Sequence, residues 1–234
     1  MNRSDLFSLL RAYWPWWLAG AFGGVWLVPL GRIIPQKVLQ RARAPLSEWL
    51  GPGGGLEHSV WPGRYIWVPA LNACLWAFAA SAANHQVFWA VLSGAILAST
   101  LLLLGLIDWD TTMLPDWVVL PFGVMGLFCS YSGFTRQSLL DGAASAAGVL
   151  CLLGGLAWLF QRIKGESGVG GGDLKLLAAL GTWWGVLGVL YVLLWASLGT
   201  VVWYLVWRRF KGLGPEAEWP FGPAIVVAAL VFGL

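Results

Sequence analysis

The feature that most constrains the fold of this chain is a series of apolar stretches that charged residues seldom interrupt. A membrane-spanning helix needs about 20 consecutive apolar residues. The predicted segments lie near residues 12–31, 66–83, 86–107, 117–133, 142–160, 174–184, 186–207 and 221–234. The sixth is too short to cross alone, and we expect it to be a half-helix that leans on its neighbours.

The composition agrees with a membrane protein and excludes a soluble one. Hydrophobic residues make up 59% of the 234 residues, and charged residues only 11%, whereas a soluble domain carries about 25% charge. The sequence therefore predicts an all-α polytopic membrane protein with about eight transmembrane segments, some short or broken. The lipid bilayer is its expected surroundings, and the net charge of +3 does not indicate nucleic acid as a partner.

The distribution of basic residues predicts the orientation of the chain. Cytoplasmic loops of membrane proteins carry an excess of Lys and Arg. If the N-terminus lies outside, only Arg3, Arg11 and Arg136 of the 14 basic residues fall outside, and the other eleven are cytoplasmic. We therefore expect an outside N-terminus, a first apolar segment retained as an anchor, and a long cytoplasmic loop over residues 32–65. The glycine-rich centre of this loop, residues 51–55, is typical of flexible segments.

Two acidic motifs lie at the ends of apolar runs. Residues 107–116 read Ile-Asp-Trp-Asp-Thr-Thr-Met-Leu-Pro-Asp, and residues 168–177 read Gly-Val-Gly-Gly-Gly-Asp-Leu-Lys-Leu-Leu. A charged side chain at membrane depth costs about 2.5–3.5 kcal/mol, so both motifs are functional candidates. The predicted orientation places both at cytoplasmic ends of their segments. Two adjacent carboxylates can share one proton and activate a water, which is aspartic protease chemistry.

Spacing alone does not decide which aspartate of the first motif would partner Asp173. Asp108, Asp110 and Asp116 all remain open. Asp116 is expected to cap a helix that begins at Trp117, and Asp110 is expected to be solvated or to support the site.

Residues on either side of Asp173 also have alternative interpretations. Three glycines, Gly170 to Gly172, would let the chain break and an extended peptide approach Asp173; the alternative is a loop leading into a helix that Asp173 caps. Lys175 could act on the Asp173 carboxylate or extend to lipid headgroups, and the second interpretation is preferred.

No metal site is expected. The three cysteines, Cys74, Cys129 and Cys151, lie singly in apolar stretches and are predicted to be small buried side chains. Neither His58 nor His85 has another ligand at metal-binding spacing.

The two motifs, together with Trp-Pro-Phe-Gly-Pro at residues 219–223, resemble type IV prepilin peptidases over about residues 86–234. The resemblance implies an inner-membrane aspartic endopeptidase of the Gly-x-Gly-Asp class. Its substrates would be type IV prepilins or type II secretion pseudopilins, whose leader peptides it removes at the cytoplasmic face. It implies that Asp108 and Asp173 are the catalytic pair and that proteolysis needs no cofactor. The expected supporting or substrate-binding residues are Gly170, Gly172, Lys175 and Asp116.

The N-terminal third departs from the pattern of bifunctional members of that family. Those members carry two Cys-x-x-Cys pairs and an Arg-Tyr-Pro segment, of which only Arg64-Tyr65 remains here. We therefore interpret residues 1–85 as a membrane region with a degenerate methyltransferase-like loop and residues 86–234 as the peptidase domain. Efficient N-methyltransferase activity is not expected, and S-adenosylmethionine would be needed only if that activity is retained.

Other functional classes fit the sequence less well. A Gly-x-Gly-Asp protease of the presenilin or signal-peptide-peptidase type lacks this Leu-Pro-Asp segment. A proton-coupled transporter is expected to show internal repeats, and none is visible. A non-enzymatic assembly factor derived from a peptidase would have lost an aspartate.

Overall fold

A computed structural model describes residues 3–43, 56, 60–82, 88–165, 170–211 and 221–233. Within these residues the chain forms helices and no strands. The helices are α1 (Arg3–Arg41), α2 (Arg64–Ala82), α3 (Phe88–Thr111), α4 (Asp116–Tyr131), α5 (Leu139–Lys164), α6 (Gly171–Lys211) and α7 (Gly222–Gly233). By length and composition, five of them can cross a membrane, whereas α4 and α7 are shorter apolar helices. The all-α polytopic fold is confirmed, but the predicted count of about eight segments is not.

Several features predicted from sequence lie outside the described residues. They are the glycine-rich centre of the long loop, both histidines, Gly168-Val169 and Trp219-Pro220.

Helix α1 is longer than the predicted segment. It continues to Arg41, so residues 32–41, predicted as the start of a loop, are helical. Tyr13 interrupts the helix near its start with φ −113° and ψ 16°. The 30 residues of Ala12–Arg41, at about 1.5 Å per residue, still extend beyond the roughly 30 Å of a bilayer core. Gly31, Pro35 and Leu39 are buried at four-residue intervals, which is the spacing of one helix face. The apolar pattern predicted only the length of helix that is needed to cross a bilayer. Packing of the buried face stabilises the additional residues up to Arg41.

Helix α6 bends where the sequence predicted a break between two segments. Gly185 has φ 72° and ψ 178° inside the helix, a conformation that glycine adopts readily and other residues rarely. The side chain of Gln137 lies against it, since a Cβ on Gly185 would be 2.9 Å from Gln137 Nε2. The break between residues 174–184 and 186–207 is therefore confirmed.

The chain divides into two compact units, Met1–Thr111 and Thr112–Gly233. The first unit contains α1, α2 and α3. Helix α1 approaches α2 closely, because a Cβ on Gly24 would lie 2.5 Å from the Cα of Pro69. Small residues at such positions allow helix backbones to approach each other in membranes. The predicted boundary between the N-terminal region and the peptidase domain, at residues 85/86, is a functional division and differs from this structural one. It stays a prediction.

A buried polar network connects the three helices of the first unit. The Asn72 amide nitrogen donates to the carbonyl of Gly20 at 2.7 Å. Ser99 Oγ donates to Asn72 Oδ1 at 2.8 Å, and Trp76 Nε1 donates to Ser99 Oγ at 2.7 Å. A buried amide without partners would be costly, so these bonds favour one arrangement of the helices.

The second unit contains α4 to α7. Small residues of α5 lie against α6: a Cβ on Gly181 would lie 3.2 Å from Ala146 N. Trp183 stacks on Phe122, with ring centroids 5.5 Å apart, and donates from Nε1 to the Phe122 carbonyl at 3.2 Å. These small residues therefore allow α5 and α6 to approach each other closely.

The prediction that all three cysteines are buried is wrong for two of them. Cys129 is buried, but Cys74 and Cys151 are exposed on the surfaces of α2 and α5. In a membrane protein an apolar run can face lipid as well as protein, so hydrophobicity alone does not indicate burial.

Candidate active site

Asp108 lies in the last turn of α3, which ends at Thr111. The preceding residues form a buried apolar stretch, in which Leu101, Leu104 and Ile107 are fully buried. The Asp108 residue itself is only 4% exposed. The helix thus holds this carboxylate in a buried position.

The acidic residue two positions later is held by arginines. Arg64 donates from Nη1 to Asp110 Oδ2 and from Nη2 to Asp110 Oδ1, both at 2.6 Å. Arg32 Nε lies 3.6 Å from Asp110 Oδ2, and the Asp110 side chain is 8% exposed. The prediction that Asp110 is solvated is wrong, because arginines on α1 and α2 shield it. Its interpretation as a supporting residue remains open.

The chain leaves α3 through an unusual backbone conformation. Thr112 has φ 49°, a left-handed conformation that β-branched residues rarely adopt. Such strain persists only where the surrounding structure enforces it and is found often at functional sites. The short segment after Asp108 is therefore conformationally constrained.

Asp116 is not the helix cap predicted from sequence. Helix α4 begins at Asp116 itself; Pro115 occupies the N-cap position, and no side chain forms a cap hydrogen bond. The Asp116 carboxylate instead accepts hydrogen bonds from Lys175 Nζ, at 2.8 Å to each oxygen. Lys175 is therefore paired with a carboxylate, contrary to the preference for lipid headgroups. The two side chains are 49% and 46% exposed, and such a pair contributes about 0–1 kcal/mol.

Asp173 is the third residue of α6, which begins at Gly171. It does not occupy the N-cap position, and Leu174 N donates to the Gly170 carbonyl at 3.2 Å. A Cβ on Gly172 would lie 3.0 Å from Leu114 Cβ, and one on Gly170 would lie 3.2 Å from Asp173 Oδ2. Both glycines therefore permit close approach around this helix start.

The structure brings some of the predicted site residues together within one unit. Lys175 contacts Asp116, and Asp173 lies beside Gly170 and Gly172. Asp108 belongs to the first unit and Asp173 to the second, and their pairing across one water stays a prediction. Across the described ranges, no group of three or more His, Cys, Asp or Glu side chains could hold a metal ion; the prediction about zinc remains to be tested.

Sequence reasoning missed the contribution of Arg32 and Arg64 to this region. Arg64 lies 46 residues before Asp110 on another helix, and no local spacing rule connects them. The available signal was weak: a lone arginine at the start of an apolar run, with an acidic residue at the end of another.

Comparison with known proteins identifies one family and several relatives from it. Residues 95–205 match the type IV leader peptidase family, and this segment includes Asp108 and Asp173. A prepilin leader peptidase/N-methyltransferase from Xanthomonas campestris pv. campestris is 32% identical over 80% of this chain and 65% of its own length. Its counterpart from Pectobacterium carotovorum subsp. carotovorum is 33% identical over 85% of this chain and 71% of its own length. A Neisseria gonorrhoeae protein of the same name is 34% identical over 72% of this chain and 56% of its own length.

The chain thus spans just under two thirds of the Xanthomonas relative's length. No solved structure matches it. The matched segment, the two aspartate motifs inside it and the identity to these relatives together show that this chain belongs to the type IV leader peptidase family.

Proposed function

We propose that this chain is an aspartic endopeptidase that removes leader peptides from type IV prepilins or type II secretion pseudopilins. The observation that carries the proposal is the placement of two aspartates inside the family segment, each in a terminal turn of a long apolar helix. Asp108 lies in the last turn of α3, and Asp173 lies in the first turn of α6. Its relatives are named prepilin leader peptidases, which supports prepilins as substrates.

In the proposed mechanism Asp108 and Asp173 hold one water between them. The ionised carboxylate removes a proton from this water as the oxygen attacks the scissile carbonyl, and the protonated carboxyl donates a hydrogen bond to the carbonyl oxygen. Collapse of the tetrahedral intermediate then breaks the C–N bond, and the leaving amine takes a proton from the pair. This mechanism requires neither a metal nor a cofactor.

The residues around Asp173 suit the approach of a peptide. Gly170 and Gly172 carry no side chains that would obstruct an extended backbone beside Asp173. The Lys175–Asp116 pair connects the starts of α6 and α4 and would hold these two helix ends at a fixed distance beside Asp173. We assign these four residues to substrate binding or support.

We place the site at the cytoplasmic face of the bacterial inner membrane, with the N-terminus outside. The distribution of basic residues supports this orientation. In a variant lacking the native cysteines, single cysteines at positions 50–56 should be protected from an impermeant reagent added to intact cells. Cysteines at positions 134–138 should react with it. The reverse pattern would put the site on the wrong side of the membrane for this substrate.

The activity is tested by co-expression with a candidate prepilin and mass spectrometry of the prepilin N-terminus. We expect the leader to be removed and the new N-terminus to remain largely unmethylated even with S-adenosylmethionine present. An intact leader with well-expressed enzyme would contradict the proposed cleavage. Stoichiometric addition of one methyl group would show that the N-terminal third still transfers methyl groups despite its missing cysteine pairs.

A further inference from the structure

We propose that Arg64 is a positioning residue for the peptidase: its ion pair with Asp110 fixes the end of α3 that carries Asp108. The inference rests on the proposed function, because it takes Asp108 to be catalytic. Arg64 is the first residue of α2, and both of its terminal nitrogens lie 2.6 Å from the two oxygens of Asp110. This planar, two-point contact restricts both distance and angle.

The pair lies in a poorly solvated environment with a second cation beside it. The side chains of Arg64 and Asp110 are 17% and 8% exposed. Arg32 of α1, 16% exposed, places its Nε 3.6 Å from Asp110 Oδ2. Helices α1, α2 and α3 therefore meet at one carboxylate. With little water to screen or replace it, such a contact enforces its geometry more strongly than a surface pair does.

The end of α3 needs an external anchor. The last four carbonyl groups of a helix lack partners within it, and the final turn tends to fray. Asp108 lies within this turn, since α3 ends at Thr111. Asp110 is two residues further along, or about 200° around the helix axis. The anchor thus acts from another face of the helix and does not itself occupy the face that carries Asp108.

This contact also gives a role to a motif that the proposed function did not use. Arg64-Tyr65 is what remains of the segment that resembles the methyltransferase part of bifunctional relatives. The geometry connects Arg64 to the aspartate motif of the peptidase part. Its presence therefore does not require methyl transfer.

The kinetic test uses Arg64→Lys, which keeps the charge but cannot form the two-point contact. We expect kcat for prepilin cleavage to fall about 10- to 100-fold, with KM changed less than about twofold. The matched control is Arg162→Lys, since Arg162 lies near the end of α5 with its guanidinium 4.9 Å from the Trp158 ring; its kcat should stay near wild type. A wild-type kcat for Arg64→Lys would overturn the proposal, even if its melting temperature fell.

A second measurement needs no activity. Asp108→Cys is introduced into a protein lacking the native cysteines, with Arg64 or Lys at position 64, and its rate of modification by a small thiol reagent is measured. Loosening of the helix end should raise this rate by about fivefold or more. Ser93→Cys, a buried position far from the pair in α3, should be unaffected.

The labelling result separates two kinds of failure. If wild-type enzyme cleaves no prepilin, the proposed function fails while the labelling still reports whether Arg64 positions residue 108. If the labelling rate at residue 108 is the same in both backgrounds, the positioning role is overturned.

Discussion

The two proposed catalytic aspartates are accompanied by ion pairs of very different character. Beside Asp108 in the first unit, Asp110 is 8% exposed and is bound by Arg64 with Arg32 nearby. Near Asp173 in the second unit, Asp116 is 49% exposed and pairs with one lysine. Removing one partner of a buried pair leaves an uncompensated charge, whereas water and salt replace an exposed partner at little cost. Two similar acidic motifs should therefore differ greatly in how they tolerate change.

The aspartates themselves also differ in their surroundings. Asp108 follows a run of buried leucines at the end of its helix. Asp173 follows glycines at the start of its helix and is partly exposed. Asp108 is thus buried, whereas Asp173 is partly exposed.

The largest expected effect is loss of prepilin cleavage, and it should be equal whichever of the two proposed catalytic aspartates is replaced. Asp108→Asn and Asp173→Asn should each lower prepilin cleavage by about 10³-fold, because an amide cannot serve as the base or supply the proton. Leader removal is measured by gel shift in membranes with matched amounts of inserted enzyme. Asp116→Asn is the control and should retain substantial activity. Normal processing by either catalytic variant would refute the assignment of the pair.

The second largest effect concerns the free energy of unfolding when the acidic partner of each ion pair is neutralised. This effect should be greater in the first unit than in the second. Asp110→Asn should lower the free energy of unfolding by about 3 kcal/mol, because it leaves the poorly solvated charges of Arg32 and Arg64 uncompensated. Asp116→Asn should cost less than about 1 kcal/mol, as is usual for an exposed pair. Unfolding by a denaturing detergent, followed by tryptophan fluorescence, measures both. Equal losses would show that burial does not distinguish these two pairs.

The smallest expected effects concern helix packing. Gly24→Ala should destabilise the first unit by about 1–3 kcal/mol, since the new Cβ would lie 2.5 Å from the Cα of Pro69. Gly181→Ala in the second unit should cost less, because its nearest atom would be 3.2 Å away. Gly155→Ala is the control, with no atom within 4 Å. The same unfolding titration ranks the three variants, and a wild-type result for Gly24→Ala would contradict the close approach of α1 and α2.

Much of the fold could be predicted because membrane helices obey local rules. Apolar length predicted most of the helices, and the break between residues 184 and 186 was predicted at the position where Gly185 bends α6. Predicted ends were less accurate where a helix continues beyond the apolar stretch. Helix α1 extends to Arg41, because buried positions on one face stabilise it where the bilayer no longer requires apolar residues.

The sequence by itself determined the all-α membrane fold, the family and the two aspartate motifs, because hydrophobic length and short motifs are local properties of the chain. Only the tertiary structure decided the partners of the other charges. Asp110 meets Arg64 across 46 residues, and Lys175 meets Asp116 across 59. Asp116 consequently forms an ion pair instead of a cap, and the Asp110 side chain is shielded by arginines instead of solvated. These outcomes depend on how helices pack against one another, which brings together side chains that no spacing along the chain relates.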